Sequence, residues 1–457
     1  MQDIVIELPA PFVVFGGLIL ASILVAQLPL SRFTGRPAPL SQLQERMGLS
    51  GLDGGVFFVI LLFWAVIFLS LFLGLLAVIW SFAWGPLPTE AEIWDWRFSL
   101  AKLTALTAVL GAVVALPFTL IRLKLAREQN AHAEEALYND KMNTAVEDLY
   151  AQRQITKWNG RNNETASNGW EDDITRRNGA IDRLKGLVEE NIALLPRVDR
   201  MLTVYLQELT REYPAEVPPA DATPKELKAW AETLTRKRSD MENAVQTLSQ
   251  LPRDAAYLKG RKPPDLQDIN MQAFKLSGLT LNEANLRRGN LRRAKLQGAD
   301  LIRAKLQGAN LSWAQLQGAD LIRAQLQGAQ LFLAQLQGAN LSWAQLQGAD
   351  LSVAKLQGAT LWEAQLQGAD LRWARFDTGT SLTNATLRGA GVREVDFTDV
   401  PQIAAHLEGM FGDASVTLPE GVTAPGHWAP EKLDWEAFET EWRAFQHSIG
   451  QDPDNPE

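Results

Sequence analysis

Side chains able to do acid–base or metal chemistry are few in this chain and poorly spaced for it. Its four histidines, His132, His406, His427 and His447, are scattered and form no metal-ligating interval. There is no cysteine, so thiolate nucleophiles, thiolate metal sites and disulfides are excluded. Carboxylates such as Asp300, Asp320 and Glu363 recur at fixed places in a repeat, which favours structure over catalysis. No G-x-S-x-G elbow, phosphate loop or dinucleotide fingerprint occurs. The expectation is a protein that is not an enzyme, with no cofactor, no metal and no evident small-molecule substrate. The net charge of −9 argues against a nucleic-acid binder. What remains is recognition by aromatic, aliphatic and arginine side chains, and the repeat must position these.

From position 276 to 371 every fifth residue is Leu, and Phe376 takes the next place. Two residues before each, from 284 to 374, stands Ala, with Gly289 the exception. A helix would scatter a five-residue period around its cylinder, and a straight strand would flip successive Leu residues to opposite faces. Gly298, Gly308 and Gly318 would each cost about 1 kcal/mol inside a helix. A short strand followed by a corner every five residues removes the conflict. Four such pentapeptides close a square coil of about 20 residues, with coils stacked about 4.8 Å apart. Leu301, Leu306, Leu311, Leu316, Leu321, Leu326, Leu331, Leu336, Leu341, Leu346, Leu351 and Leu356 then form the dry core. Ala is small because a narrow square has no more room. One coil buries too little to stand alone, so stability comes from stacking.

The stretch "GADLIRAKLQGANLSWAQLQGADL" carries Asp300, Asn310 and Asp320 one residue before Leu. It resembles the pentapeptide-repeat family, with its motif A-(D/N)-L-x-x, over about Leu266 to Phe397. The resemblance implies a right-handed quadrilateral parallel β-helix. Near its end the frame slips by one residue and resumes at Leu382, Leu387, Val392 and Phe397, which reads as a bulge and a final coil. About six and a half coils give a rod near 30 Å long. Exposed ladder ends invite aggregation, so the helix before Leu266 and the tail are expected to cover them.

Residues twenty apart share a face. Two opposite faces carry Gln-Gly pairs (Gln297 with Gln317, Gln307 with Gln327) and should be flat, with stacked Gln ladders. A third face presents Trp313, Phe332, Leu333, Val353 and Trp373, the candidate interaction face. It would dock a partner, another copy or the protein's own helices. The opposite, secondary face presents Ile302, Arg303, Ile322, Arg323, Trp343, Trp362 and Glu363. Some soluble family members mimic DNA and bind type II topoisomerases, which needs a negative face. The rod from Leu266 to Val400 carries 11 acidic and 14 basic side chains, which disfavours that role. Arg287, Arg288, Arg292, Arg293 and Lys295 make its first coils basic. They read as solvated surface, or as a contact for anionic lipid or nucleic acid.

Ahead of the rod lie three apolar stretches at about 11–29, 56–84 and 99–122, each long enough to span a bilayer as a helix. Residues 1–10 carry Asp3 and Glu7 and no basic residue, so the first stretch is expected to be a retained span, not a cleaved signal. Arg32, Arg36 and Arg46 flank one side, as do Arg122, Lys124 and Arg127, which places the N-terminus outside and later residues inside. Trp80, Trp84, Trp94 and Trp96 would form the outer aromatic belt. No ionisable residue lies between Glu7 and Arg32, between Asp53 and Glu90 or between Lys102 and Arg122, which favours an anchor over a transport pathway.

Residues 123–260 read as a helical region. The third span continues to about Arg153, "WNGRNNETASNGWEDD" is a loop, and helices follow near 180–195 and 198–211. A last helix, with Thr223 as its N-cap, runs to about Leu248. The rod occupies 261–400, and residues 401–457 form a helical cap and tail. The order of parts is similar to bacterial membrane proteins carrying pentapeptide repeats. The expectation is a multi-pass inner-membrane scaffold with a periplasmic N-terminus and cytoplasmic C-terminal domains. Its partners would be the bilayer and a protein or a second copy. A membrane- or transport-associated regulator is the alternative.

Overall fold

The computed structural model describes residues 39–50, 52–85, 89, 93–159, 165–219, 222, 224–252 and 263–455. The chain divides into two compact units, Met1–Asn139 and Asp140–Glu457. The stretch at 11–29 and the Thr223 cap lie outside the described residues.

In the first unit a short helix α1 (Pro39–Arg46) precedes α2 (Gly54–Trp84). Asp53 starts α2 by accepting from the amides of Gly55 (2.8 Å) and Val56 (3.3 Å). α3 runs from Ile93 to Leu149 without a break, through Pro117. The Trp64 Nε1 of α2 donates to the Val113 carbonyl of α3 at 3.0 Å, joining the pair. Both helices are long and apolar enough to cross a membrane, and 6% and 0% of their most apolar windows are buried.

In the second unit the end of α3 buries Met142, Ala145 and Leu149. Asp148 and Lys141 of that end pair with Arg176 (2.5 Å) and Glu190 (2.9 Å) of α4 (Ile174–Glu190). α4, α5 (Leu195–Glu212) and α7 (Ser239–Gln250) pack on one another, with α6 (Pro224–Thr233) preceding α7 in the chain. Ile181, Leu184, Val198, Leu202, Leu206, Val245 and Leu248 are fully buried and form the bundle core. Two expectations fail here. The expected loop at 158–173 is largely strand among the described residues: β1 (Gln152–Asn159) and β2 (Thr165–Asp172) pair antiparallel, and 160–164 lie outside the described residues. Gln152, Arg153, Gln154 and Trp170 of this pair are exposed, so no apolar alternation marks it in the sequence. The single helix to Leu248 is two, α6 and α7. Arg238 between them is extended (φ −143°) because its guanidinium is drawn to Asp172 and Asp240.

From Asp265 the chain coils. Residue i bridges residue i+20 in parallel, from Asp265↔Asn285 to Lys355↔Arg375, and the spacing becomes 21 at Thr360↔Ser381. The extra residue sits in the turn at 377–380. There Asp377 accepts from the amides of Gly358 (2.7 Å) and Gly379 (3.0 Å), and the buried Thr380 hydroxyl donates to the Leu356 carbonyl (3.0 Å). The Leu column from Leu301 to Leu356, with its Ala neighbours, is 0–1% exposed. Each fully buried Leu contributes roughly 1.5–3 kcal/mol. The ladder continues past 400: β3 (Gly391–Val392) pairs with β4 (Phe411–Gly412), Asp396 bridges Thr417, and Asp413 bridges Ala429.

Both ends are capped by groups that replace the missing coil. Inside the rod, the amides of Asn290 and Lys295 donate to Ile269 and Phe274 of the coil before. Their first-coil counterparts have no such coil. Asn270 N–H donates instead to Thr210 Oγ1 (3.2 Å) of α5, and Lys275 N–H to Glu242 Oε2 (2.8 Å) of α7. Gln246 Nε2 returns a bond to the Lys275 carbonyl at 2.8 Å. At the other end α8 (Trp435–Ser448) lays Trp442 and Gln446 on the Gly389 carbonyl, at 2.8 and 3.0 Å. Phe411, Leu433, Phe438 and Trp442 fill the space beneath. The bundle and the tail thus protect edges that would otherwise recruit other chains.

Candidate interaction faces

The Asn and Asp residues that precede Leu in the repeat make its corners. Asn310, Asp320, Asp350 and Asp370 each accept from the backbone N–H two residues on, at 2.9–3.1 Å. These side-chain oxygens hold turns, as Asx-turns do. His427 is placed against the Met410 carbonyl (2.8 Å) and stacked on Phe445 (4.7 Å), inside the C-terminal cap. Among the described residues, no three His, Cys, Asp or Glu gather as a metal site.

Each corner closes with a bond such as Ala304 N–H to the Leu301 carbonyl (3.0 Å), and its third residue has positive φ. At alternate corners that residue is glycine, as at Gly298 (φ 62°) and Gly308 (φ 63°). Between them the same backbone is forced on Arg303 (56°), Trp313 (58°), Arg323 (56°), Leu333 (56°), Trp343 (61°), Val353 (60°), Glu363 (52°) and Trp373 (58°). A side chain in this region costs roughly 1–2 kcal/mol, most for a branched one such as Val353. Two faces therefore carry large side chains where the fold prefers none.

The Trp313–Trp373 face is partly covered by the chain itself. The ring of Trp230, on α6, meets Trp313 edge-on at 6.1 Å, and Trp313 meets Phe332 at 5.3 Å. At the other end Trp435 of α8 stacks on Trp373 at 6.0 Å and 9°. The Arg372 guanidinium lies 3.9 Å above Trp435 and bonds Asp370 (2.5 Å) and Glu439 (3.0 Å). Desolvation pushes the Asp370 carboxyl above the usual range, against the pull of Arg372. Between the two covered ends a groove of about 1110 Å³ stays open. Phe332, Leu333 and Val353 line it, with Trp373 and Trp435 at one end and Gln357, Arg375, Glu394 and Asp396 as its polar lining.

The opposite face carries a shallower depression of about 340 Å³ lined only by rod residues: Ile302, Arg303, Ile322, Arg323, Ser342, Trp343 and Trp362. Trp343 and Trp362, edge to face at 5.1 Å, are 38% and 39% exposed. They are the most open large apolar residues among the described residues of the repeat. The Gln-Gly faces differ from expectation. Their bonds climb diagonally, from Gln317 to Gln335 (2.7 Å) and from Gln327 to Gln345 (2.6 Å), not along a column of Gln residues twenty apart. A Gln just past a Leu thus reaches the bridge position of the next coil.

The basic cluster is not simply solvated. Arg292 donates to the Glu216 carbonyl (3.1 Å) and lies over Trp230, and Arg293 donates to the Leu234 carbonyl (2.8 Å). Arg288 pairs with Asp268 through two bonds of 2.8 Å. The charges fasten the bundle to the first coils. Neither they nor Trp230, Trp435, Thr210 and Glu242 carry a sequence signal for these roles, because each acts across a long separation in the chain.

Comparison with known proteins agrees with this geometry. The pentapeptide-repeats family model matches residues 265–301, 294–331 and 334–372. Over these residues the rod thus combines the pentapeptide-repeat pattern with coils that bridge every 20 residues. Solved structures similar to this chain include HetL, a pentapeptide repeat protein involved in heterocyst differentiation regulation from the cyanobacterium Nostoc sp. strain PCC 7120. It is 27% identical over 36% of this chain and 87% of its own, with a TM-score of 0.17. A pentapeptide repeat protein of the Arabidopsis thaliana thylakoid lumen is 28% identical over 33% and 83%, with a TM-score of 0.15. Full-length QnrB1, a plasmid-mediated fluoroquinolone resistance protein, is 17% identical over 41% and 89%, with a TM-score of 0.20. No curated protein matches the chain.

Proposed function

We propose that this protein is a non-catalytic scaffold anchored in the bacterial inner membrane, which presents a β-helical rod to a protein partner in the cytoplasm. The observation that carries this reading is the groove between Trp313 and Trp373. Its residues keep large side chains at corners where glycine would relax the backbone. The same face takes a Trp from a helix at each end, Trp230 on α6 and Trp435 on α8. The ligand suited to the open middle is therefore a helix or turn of another protein that offers an aromatic side chain. Anchoring is supported by the uncovered apolar flanks of α2 and α3. It is also supported by the exposed Trp80, Trp84 and Trp94, while Arg122, Lys124 and Arg127 follow the apolar part of α3. A DNA-mimicking role is disfavoured by the basic excess of the rod.

The test is affinity capture from native membranes with the full chain and with a Leu333→Gln, Val353→Gln variant. A protein retained by the former and lost by the latter, at equal melting temperature, supports the groove. Identical co-eluting sets would reject it.

A further inference from the structure

The open arginine–tryptophan face has an internal symmetry of charge and shape. Two columns run along it, one residue per coil. The first holds Ile302, Ile322, Ser342 and Trp362, and the second Arg303, Arg323, Trp343 and Glu363. Consider a two-fold axis that lies in the plane of contact, perpendicular to the coil axis, midway between the coils of Arg323 and Trp343. It reverses the order of coils and keeps each column opposite itself. Arg303 then faces Glu363 of a second copy, Arg323 faces Trp343, and Ile302 faces Trp362. Each pairing occurs twice, as an isologous contact requires. The products are two ion pairs, two cation–π contacts and two apolar contacts. A parallel arrangement would instead set both copies' Arg303 at the same level, and likewise both copies' Glu363. We infer that this face pairs two copies of the chain, rods antiparallel, about that axis.

Three further observations agree. Arg323 already lies 5.6 Å over Trp343 in its own chain, so the attraction to be doubled is the one present. Among the described residues Arg303 pairs with Glu283, at 3.4 Å with both side chains 55% exposed, a pair weak enough to share. Trp and Arg are also the side chains that dominate interface energetics. Four coils span about 20 Å along the axis, so a square patch of that edge offers about 400 Å² per partner, half the roughly 800 Å² of a standard stable complex. The pairing is therefore reversible and concentration-dependent. The inference does not depend on the groove, which lies on the opposite face.

The experiment is sedimentation of the full chain in detergent over a concentration series. Arg303→Glu or Glu363→Arg alone should raise the dimer dissociation constant by roughly tenfold or more. The double swap, Arg303→Glu with Glu363→Arg, should return it to within about threefold of the parent. Trp343→Ser with Trp362→Ser should abolish the dimer while circular dichroism stays unchanged. The absence of cysteine allows a second readout. Positions 303 and 363 lie three coils apart, too far to join within one chain. Arg303→Cys with Glu363→Cys should therefore give oxidised ladders or dimers between chains, which either single change does not. A monomer at every concentration, or a charge swap that fails to restore the dimer, overturns the inference.

Discussion

At the scale of single residues, one five-residue rule serves two purposes. Leu and Ala fill the axis, and the third corner residue sets how a face looks from outside. The glycines separate the two kinds of constraint. Gly318 has φ +65°, and a methyl placed there would meet no atom within 4 Å. Gly318→Ala should therefore cost about 1 kcal/mol by backbone strain alone, read as a small fall in midpoint with an unchanged denaturant slope. Gly391 has no such φ, but a methyl would lie 2.5–2.8 Å from the Trp442 indole. Gly391→Ala should cost more and loosen α8, seen as faster amide exchange at 435–448 while the middle coils stay protected. Leu326 is fully buried, so Leu326→Ala should destabilise by about 2–5 kcal/mol.

Elements hold one another through polar contacts that a hydrophobic pattern does not describe. The hairpin is tied to the bundle at Asp172. This carboxylate accepts from Arg177 (2.5 Å), Arg238 and Tyr213 (3.2 Å), while Tyr205 and Arg238 share the fully buried Asp240. Burial alone would raise the Asp172 pKa, but the Arg238 bond and the charges of Arg177 and Arg238 hold it below the usual carboxylate value. The folded unit thus binds this proton less readily than the unfolded chain does. The stability it lends is fully present above the ordinary Asp pKa and is lost as pH falls through the lower folded value. Melting between pH 5 and acid should show that loss, and Asp172→Asn should flatten it while lowering stability at pH 7. An unchanged pH slope in the variant would refute the assignment.

At the scale of the whole molecule, an anchored chain with its rod in the cytoplasm has a fixed topology. In cells, Glu90→Cys should react with a membrane-impermeant maleimide added outside, and Arg127→Cys only after the membrane is opened. The reverse pattern would invert the orientation and place the rod in the periplasm. The caps also make the rod dependent on its flanks. Glu242→Ala leaves the Lys275 amide without its acceptor, and should lower the melting temperature and promote concentration-dependent aggregation. Light scattering against the parent chain measures the latter.

The repeat was legible because its rule is local: an inward Leu every five residues has one backbone solution, and the slip after Phe376 announced the inserted turn at 377–380. Long apolar runs were equally legible, because α2 and α3 need only composition and length. The hairpin was not, since β1 and β2 are polar ribbons whose pairing is made by backbone groups common to every residue. Nor could the sequence tell which aromatic face stays open. Trp313 and Trp373 lie under Trp230 and Trp435, whereas Trp343, in the same frame, and its neighbour Trp362 remain exposed. Periodicity along a chain determines what points inward. Which outward residues are covered depends on contacts between residues more than sixty positions apart, and only the tertiary structure brings those together.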